Sequence, residues 1–141
     1  MSGKMERILS GASAYFEQVD GGFRLVAGDR ILLAHGPDHP AVEMAAGDAQ
    51  VKMYRGNFAI SDKPVILPVG GFVKIAPDHV QFSESPNGMI RLELRLRQES
   101  DRLLLDMISS VSACDRLMVN IPATSDEHIW GGGEQMSYLN L

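Results

Sequence analysis

From Ile90 to Arg97 apolar and charged side chains alternate without a break. Ile90, Leu92, Leu94 and Leu96 fall on one side, and Arg91, Glu93, Arg95 and Arg97 on the other. A period of two marks a strand with one dry and one wet face, because successive side chains leave opposite sides of the backbone. His79 to Ser83 precedes it as a candidate partner strand, and Asn87-Gly88 lies between the two. Both residues tolerate positive φ, so the pair predicts a tight hairpin turn. After Glu99-Ser100-Asp101, the stretch Arg102 to Ser109 places Leu103, Leu105 and Met107 on one side. The three segments predict a β-meander.

The same alternation predicts strands at Gly22 to Val26, Arg30 to His35, Ala41 to Ala45, Gln50 to Phe58, Phe72 to Ala76, Arg116 to Ile121 and Glu127 to Gly131. Between them lie Ala27-Gly28-Asp29, Gly36-Pro37-Asp38, Gly47-Asp48 and Gly70-Gly71. Turn clusters at roughly 8–12-residue spacing are those of a sandwich or barrel. The first twenty residues fit two descriptions. Met5, Ile8, Leu9, Ala12 and Phe16 share one helical face, while Ser10 and Gly11 weaken such a helix, leaving a short helix or an edge strand. The expected fold is all-β, an antiparallel β-sandwich.

Composition narrows the functional classes. A chain of 141 residues has the size of one domain and buries roughly 70% of its unfolded surface. The formal charge of −5, with scattered basic residues, argues against nucleic acid and anionic membranes as partners. One cysteine, Cys114, excludes an internal disulfide and reads as a small buried residue among Val111, Ala113 and Leu117. Met-Ser-Gly-Lys-Met-Glu-Arg at the start has neither a long apolar run nor a small-residue cleavage site. The expected location is therefore cytoplasmic, with no transmembrane span. His35 and His39 flank Gly36-Pro37, which breaks any helix that would put both rings on one face. With His79 and His128 also isolated, neither a metal site nor a cofactor is expected.

Few residues carry a chemical pattern. Ser137 has no neighbouring base, and Gly131-Gly132-Gly133 lacks the Lys-Ser/Thr of a phosphate loop. Those glycines read as backbone freedom at a sharp turn or close approach. Most carboxylates, such as Asp29, Asp38, Asp48, Asp62, Asp78 and Glu93, sit in turns or on wet strand faces. Glu134 differs, lying after three glycines between Trp130 and Tyr138. In Met53-Tyr54-Arg55-Gly56-Asn57-Phe58, two aromatic rings flank planar hydrogen-bonding groups. Sugars are held by such a combination. A strand end whose Arg and Asn satisfy nearby carbonyls is the plainer reading.

Two segments resemble one known family. Val51 to Lys63, which contains Tyr-Arg-Gly-Asn-Phe, resembles the N-terminal domain of the sulfoquinovosidase branch of glycoside hydrolase family 31. His128 to Leu141, with Trp-Gly-Gly-Gly-Glu-Gln, resembles the family's link from an N-terminal β-sandwich to a catalytic barrel. The resemblance implies a galactose-mutarotase-like sandwich over residues 1–127 and a junction at 128–141 leading toward a (β/α)₈ barrel absent from this sequence. Family members retain anomeric configuration with two aspartates about 5–5.5 Å apart, and both come from the barrel. No catalytic residue is carried over. Arg55, Asn57, Glu134 and Gln135 are expected to line or buttress the substrate mouth. The carbohydrate then meets this chain through a parent glycosidase of α-glucoside or sulfoquinovoside type. Two other readings stand beside this one. A stand-alone carbohydrate-binding module would stack sugars on Tyr54, Trp130 and Tyr138. A truncated structural remnant would self-associate through the exposed junction at Trp130, Met136, Tyr138 and Leu141.

Overall fold

The computed structural model describes residues 14–100, 102–122 and 125–126. Among them every regular element is a strand. They run β1 (Ala14–Val19), β2 (Gly22–Ala27), β3 (Arg30–His35), β4 (Val42–Ala46), β5 (Gln50–Tyr54), β6 (Asn57–Ser61), β7 (Val65–Leu67), β8 (Phe72–Ala76), β9 (His79–Ser83), β10 (Ile90–Glu99), β11 (Arg102–Ser109) and β12 (Arg116–Val119). All pairings are antiparallel. The sheets are ordered β1-β2-β3, β11-β10-β9-β8, β12-β4-β7 and β5-β6.

The three larger sheets share one core, which makes the fold an all-β sandwich. Phe16, Phe23, Leu25 and Leu33 come from β1 to β3, Val42 and Met44 from β4, and Val80, Phe82, Leu92 and Leu94 from β9 and β10. Alternation causes this arrangement. Leu92 and Leu94 are fully buried while Arg95 between β10's inward residues is exposed. The sheets are also joined through backbone. Phe16 N–H donates to Pro77 O at 2.8 Å, and Leu96 N–H donates to Asp78 O at 2.8 Å. The β8–β9 turn thus holds both β1 and β10. Buried backbone groups require such partners.

Several elements match the sequence reading, including β3, β8, β9 and β11 at the same boundaries. Others differ for identifiable reasons. Of the two descriptions of the first twenty residues, the edge strand holds for residues 14–19, where Phe16 packs edge-on against Phe23 at 5.7 Å. The short strand β7 was not anticipated, and β12 ends at Val119 rather than Ile121. The Asn87-Gly88 pair does not form a two-residue hairpin turn. Ser85-Pro86-Asn87-Gly88 closes instead with Gly88 N–H donating to Ser85 O at 3.0 Å, inside a longer β9–β10 connection. Pro at the second and Gly at the fourth position suit a type I turn. Cys114 is half-buried rather than buried, and its thiol donates to Arg116 O at 3.2 Å. The strand expected at Glu127 to Gly131 lies outside the described residues.

The largest correction concerns Gln50 to Phe58. It is not one strand but most of a hairpin, with Tyr54 paired to Asn57 and Arg55-Gly56 as a two-residue loop. Both loop residues have positive φ, 48° for Arg55 and 80° for Gly56. That is the geometry of a type I′ turn, whose twist matches the flanking strands.

This hairpin continues another. In β4–β7, Ala46 faces Val65; four positions farther along each strand, Gln50 faces Ser61. The register therefore passes from the sandwich into β5–β6 without a slip. We call β5–β6 the arm. Five paired positions at about 3.4 Å each give it a reach of roughly 15 Å.

Candidate functional site

Tyr54, Arg55 and Asn57 come together at the tip of the arm. Tyr54 and Asn57 close the turn as cross-strand partners, and Arg55 lies between them. The Arg55 guanidinium carbon sits 5.2 Å from the Tyr54 ring centroid, over its face. A cation above a ring is attracted by the ring's quadrupole, here at an exposed site where the effect is small. A non-glycine residue at φ 48° is uncommon, and holding it there costs roughly 1 kcal/mol. The type I′ turn imposes that φ at its first central position. The tip thus offers a phenol, a guanidinium and a carboxamide to anything approaching it. Glu134, Gln135, Trp130 and Tyr138 lie outside the described residues.

Register divides the arm into two unlike faces. Tyr54, Asn57, Lys52, Ala59, Gln50 and Ser61 share one face. Val51 opposite Ile60, and Met53 opposite Phe58, share the other. That second face is entirely apolar and, among the described residues, uncovered: Val51 is 60% exposed, Met53 80%, Phe58 51% and Ile60 62%. A two-stranded ribbon is marginally stable in water without a covered apolar face.

The base of the arm is fastened by side chains rather than by apolar packing. Asp62 accepts from the Asp48 backbone N–H at 3.1 Å and pairs with the Arg116 guanidinium. Asp115 accepts from the Gly47 N–H at 2.8 Å. Residues just before β12 and at its start therefore hold both legs of the arm where it leaves β4 and β7. Sequence reasoning missed this clamp, since it treated Asp62 as a solvated turn residue. The arm's turn, Arg55-Gly56, had Gly56 as its one local signal within an over-long strand.

A second polar grouping lies on the outer face of β9 and β10. Asp78, His79, Gln81, Glu93, Arg95 and Arg97 line an open groove of about 560 Å³. Glu93 Oε1 receives hydrogen bonds from Arg95 Nε at 2.5 Å and pairs with His79 Nε2 at 2.6 Å. The Arg95 hydrogen bond, and secondarily His79, hold the Glu93 carboxyl below its ordinary value despite partial desolvation. A carboxylate so held does not donate a proton near neutrality. Arg97 is likewise engaged by Asp106 and Glu99. The groove is an ion-paired wet face of the sheet. Among the described residues no cluster of three or more His, Cys, Asp or Glu is placed to hold a metal ion. No helix among them is long and apolar enough to cross a membrane.

Two curated proteins are similar to this chain. The chain is 38% identical over 128 residues to the sulfoquinovosidase of Agrobacterium fabrum, covering 90% of this chain and 18% of that protein. It is 32% identical over 130 residues to the sulfoquinovosidase of Escherichia coli, covering 89% of this chain and 19% of that protein. The chain is related to the sulfoquinovosidases. A solved family 31 sulfoquinovosidase from E. rectale, in complex with an aza-sugar inhibitor, shares the fold with a TM-score of 0.55 at 22% identity. That likeness covers 77% of this chain and 16% of the solved chain. No protein-family model matches. The chain thus spans less than a fifth of either sulfoquinovosidase relative. The arm falls within a chain of which nine-tenths aligns with the Agrobacterium protein.

Proposed function

We propose that this chain is the N-terminal β-sandwich of a retaining α-glycosidase that acts on α-glucoside-type sugars, specifically sulfoquinovosides. The sandwich supplies no catalytic carboxylate. It positions the arm so that Arg55 and Asn57 border the mouth of a neighbouring (β/α)₈ barrel, the part of such enzymes where loops after the strands build the active site. The observation that carries this reading is the strained, solvent-facing Tyr54-Arg55-Gly56-Asn57 turn in a chain 38% identical to a sulfoquinovosidase. Arg55 and Asn57 offer planar donors suited to sugar hydroxyls or a sulfonate. Glu134 and Gln135 belong to the same proposed border.

A stand-alone carbohydrate-binding module is the weaker reading. One tryptophan and three tyrosines are a thin stacking inventory for such a module.

The test pairs two proteins. The 141-residue chain alone should not hydrolyse an aryl α-sulfoquinovoside. A chimera in which it replaces the matching segment of the Agrobacterium fabrum enzyme should hydrolyse it. Turnover by the isolated chain, or a folded but inactive chimera, would overturn the proposal.

A further inference from the structure

We infer that His35 is a proton-operated latch: its neutral ring holds the 36–41 loop, and through Ala41 the end of β12, and a proton on the ring releases both. Ala41 is gripped from two sides. Its N–H donates to His35 Nδ1 at 3.1 Å, and its carbonyl accepts from the Asn120 N–H at 2.8 Å. The Asn120 carboxamide also donates to Pro40 O at 2.7 Å and to Glu43 Oε2 at 3.1 Å. One imidazole nitrogen therefore stands at the head of a run of bonds that ends one residue past β12.

The chemistry of the ring makes this grip conditional on pH. Neutral imidazole has one acceptor nitrogen, and the Ala41 N–H occupies it, so the ring's own proton sits on Nε2. Imidazolium is a donor at both nitrogens. Protonation sets N–H against N–H and strips the partner from a donor in a residue only 1% exposed. The ring is wedged in place, stacked on Phe23 at 4.8 Å and 6° and edge-on to Phe82 at 5.2 Å. What yields is the loop. Gly36 and His39 exchange backbone hydrogen bonds at 3.1 and 3.3 Å, so Gly36-Pro37-Asp38-His39 is closed on itself and moves as one piece.

Charges on the surrounding elements lie away from the ring. Register pairs His35 with Phe23 and puts Arg24 on the opposite face of β2, where it meets Glu17. Glu43 alternates with the buried Val42 and Met44 of β4. His79 alternates with the buried Val80 and Phe82 of β9 and pairs with Glu93 on the outer face. Arg30 stands at the far end of β3, opposite Ala27, and Asp38 and His39 in the loop are exposed. Burial is what lowers the His35 pKa, so release begins below about 6.5, the value of a free imidazole. The grip is complete above that value and is lost as pH falls from it through the lowered one.

Amide exchange on the 141-residue chain, followed with and without low urea as pH is lowered, tests the latch. The Ala41 and Asn120 amides should exchange through a local opening that low urea does not accelerate. Their protection should fall by up to about tenfold per pH unit below about pH 6.5. The amides of Val80, Leu92 and Leu94 should exchange only through urea-sensitive global unfolding. His35→Phe should leave Ala41 and Asn120 weakly protected at every pH, with no slope. Nitrogen chemical shifts of His35 at neutral pH should report the Nε2–H tautomer, a reading made on the unmodified chain and independent of how the variant folds. An Nδ1–H tautomer would overturn the latch. So would Ala41 and Asn120 amides that open only together with the whole sandwich.

Discussion

The β9–β10 pair and the arm are built from the same kind of sequence, and the protein treats them oppositely. In β9–β10 the inward residues Val80, Phe82, Leu92 and Leu94 are fully buried. In the arm the corresponding set, Val51, Met53, Phe58 and Ile60, is more than half exposed throughout. Both ribbons alternate, both are antiparallel, and both carry aromatic and β-branched residues. The difference is the number of layers. Alternation specifies which residues share a face, but only a second layer makes that face dry.

Truncation at the two equivalent positions gives the sharpest contrast. Phe82→Ala should destabilise the chain by about 3–5 kcal/mol in urea unfolding, because it removes a fully buried ring beside Phe23 and His35. Phe58→Ala should change stability by less than about 0.5 kcal/mol, the behaviour of a surface position. Equal effects would mean the arm packs within this chain, erasing the distinction.

Acidification should act on the sandwich and spare the arm. His35 stacks on Phe23 at 4.8 Å and 6°, and its Nδ1 accepts from the Ala41 N–H at 3.1 Å. Burial lowers its pKa, so the unfolded chain takes up the proton first as pH falls. The stabilisation is complete above about 6.5, the unfolded value. It is lost as pH drops from there through the lowered folded value, at up to about 1.4 kcal/mol per pH unit for one proton. His35→Phe should remove that part of the slope, read from urea midpoints between about pH 7 and pH 5. A slope unchanged by the substitution would assign the acid sensitivity elsewhere.

Cutting the clamp should affect the arm's anchorage more than global stability. Arg116→Ala removes a partly exposed pair with Asp62, worth about 0.5–1 kcal/mol at such a site. Exchange at Asp48, whose N–H donates to Asp62, should accelerate while β9–β10 amides do not change. Acceleration everywhere would show that the clamp serves the whole sandwich.

The smallest expected change is at the tip. Arg55→Gly relieves a positive φ and should raise stability by at most about 0.5–1 kcal/mol, with some of the gain lost to a more flexible unfolded chain. In the Agrobacterium chimera the same substitution should lower kcat/KM for an aryl α-sulfoquinovoside by at least about tenfold, one charge-assisted hydrogen bond's worth. Improved stability with undiminished activity would remove Arg55 from the proposed border.

The legible and illegible parts of this molecule separate along the same line. The strand whose alternation spans Ile90 to Arg97 could be read directly, because local period and burial agree there. The arm was read as one strand because Val51, Tyr54 and Phe58 suit a strand. Arg is an unusual occupant of a left-handed turn position, so Gly56 alone was too weak a signal. Asn87-Gly88 erred the other way: a good I′ pair was overruled by Pro86, whose fixed φ favours the second position of a type I turn. The clamp of Asp62, Asp115 and Arg116 joins residues more than fifty positions apart, and no local pattern encodes such a meeting. At the candidate site, Tyr54, Arg55 and Asn57 were legible as chemistry, but their gathering at the end of a projecting arm was not.

Residue-resolved amide exchange on the unmodified chain tests the account most directly. Residues 79–83 and 90–97 should show protection approaching the global unfolding free energy, with 50–61 slower than free peptide by no more than about tenfold. Equal protection in the two ribbons would contradict the account, because it would show the arm's apolar face covered by this chain itself.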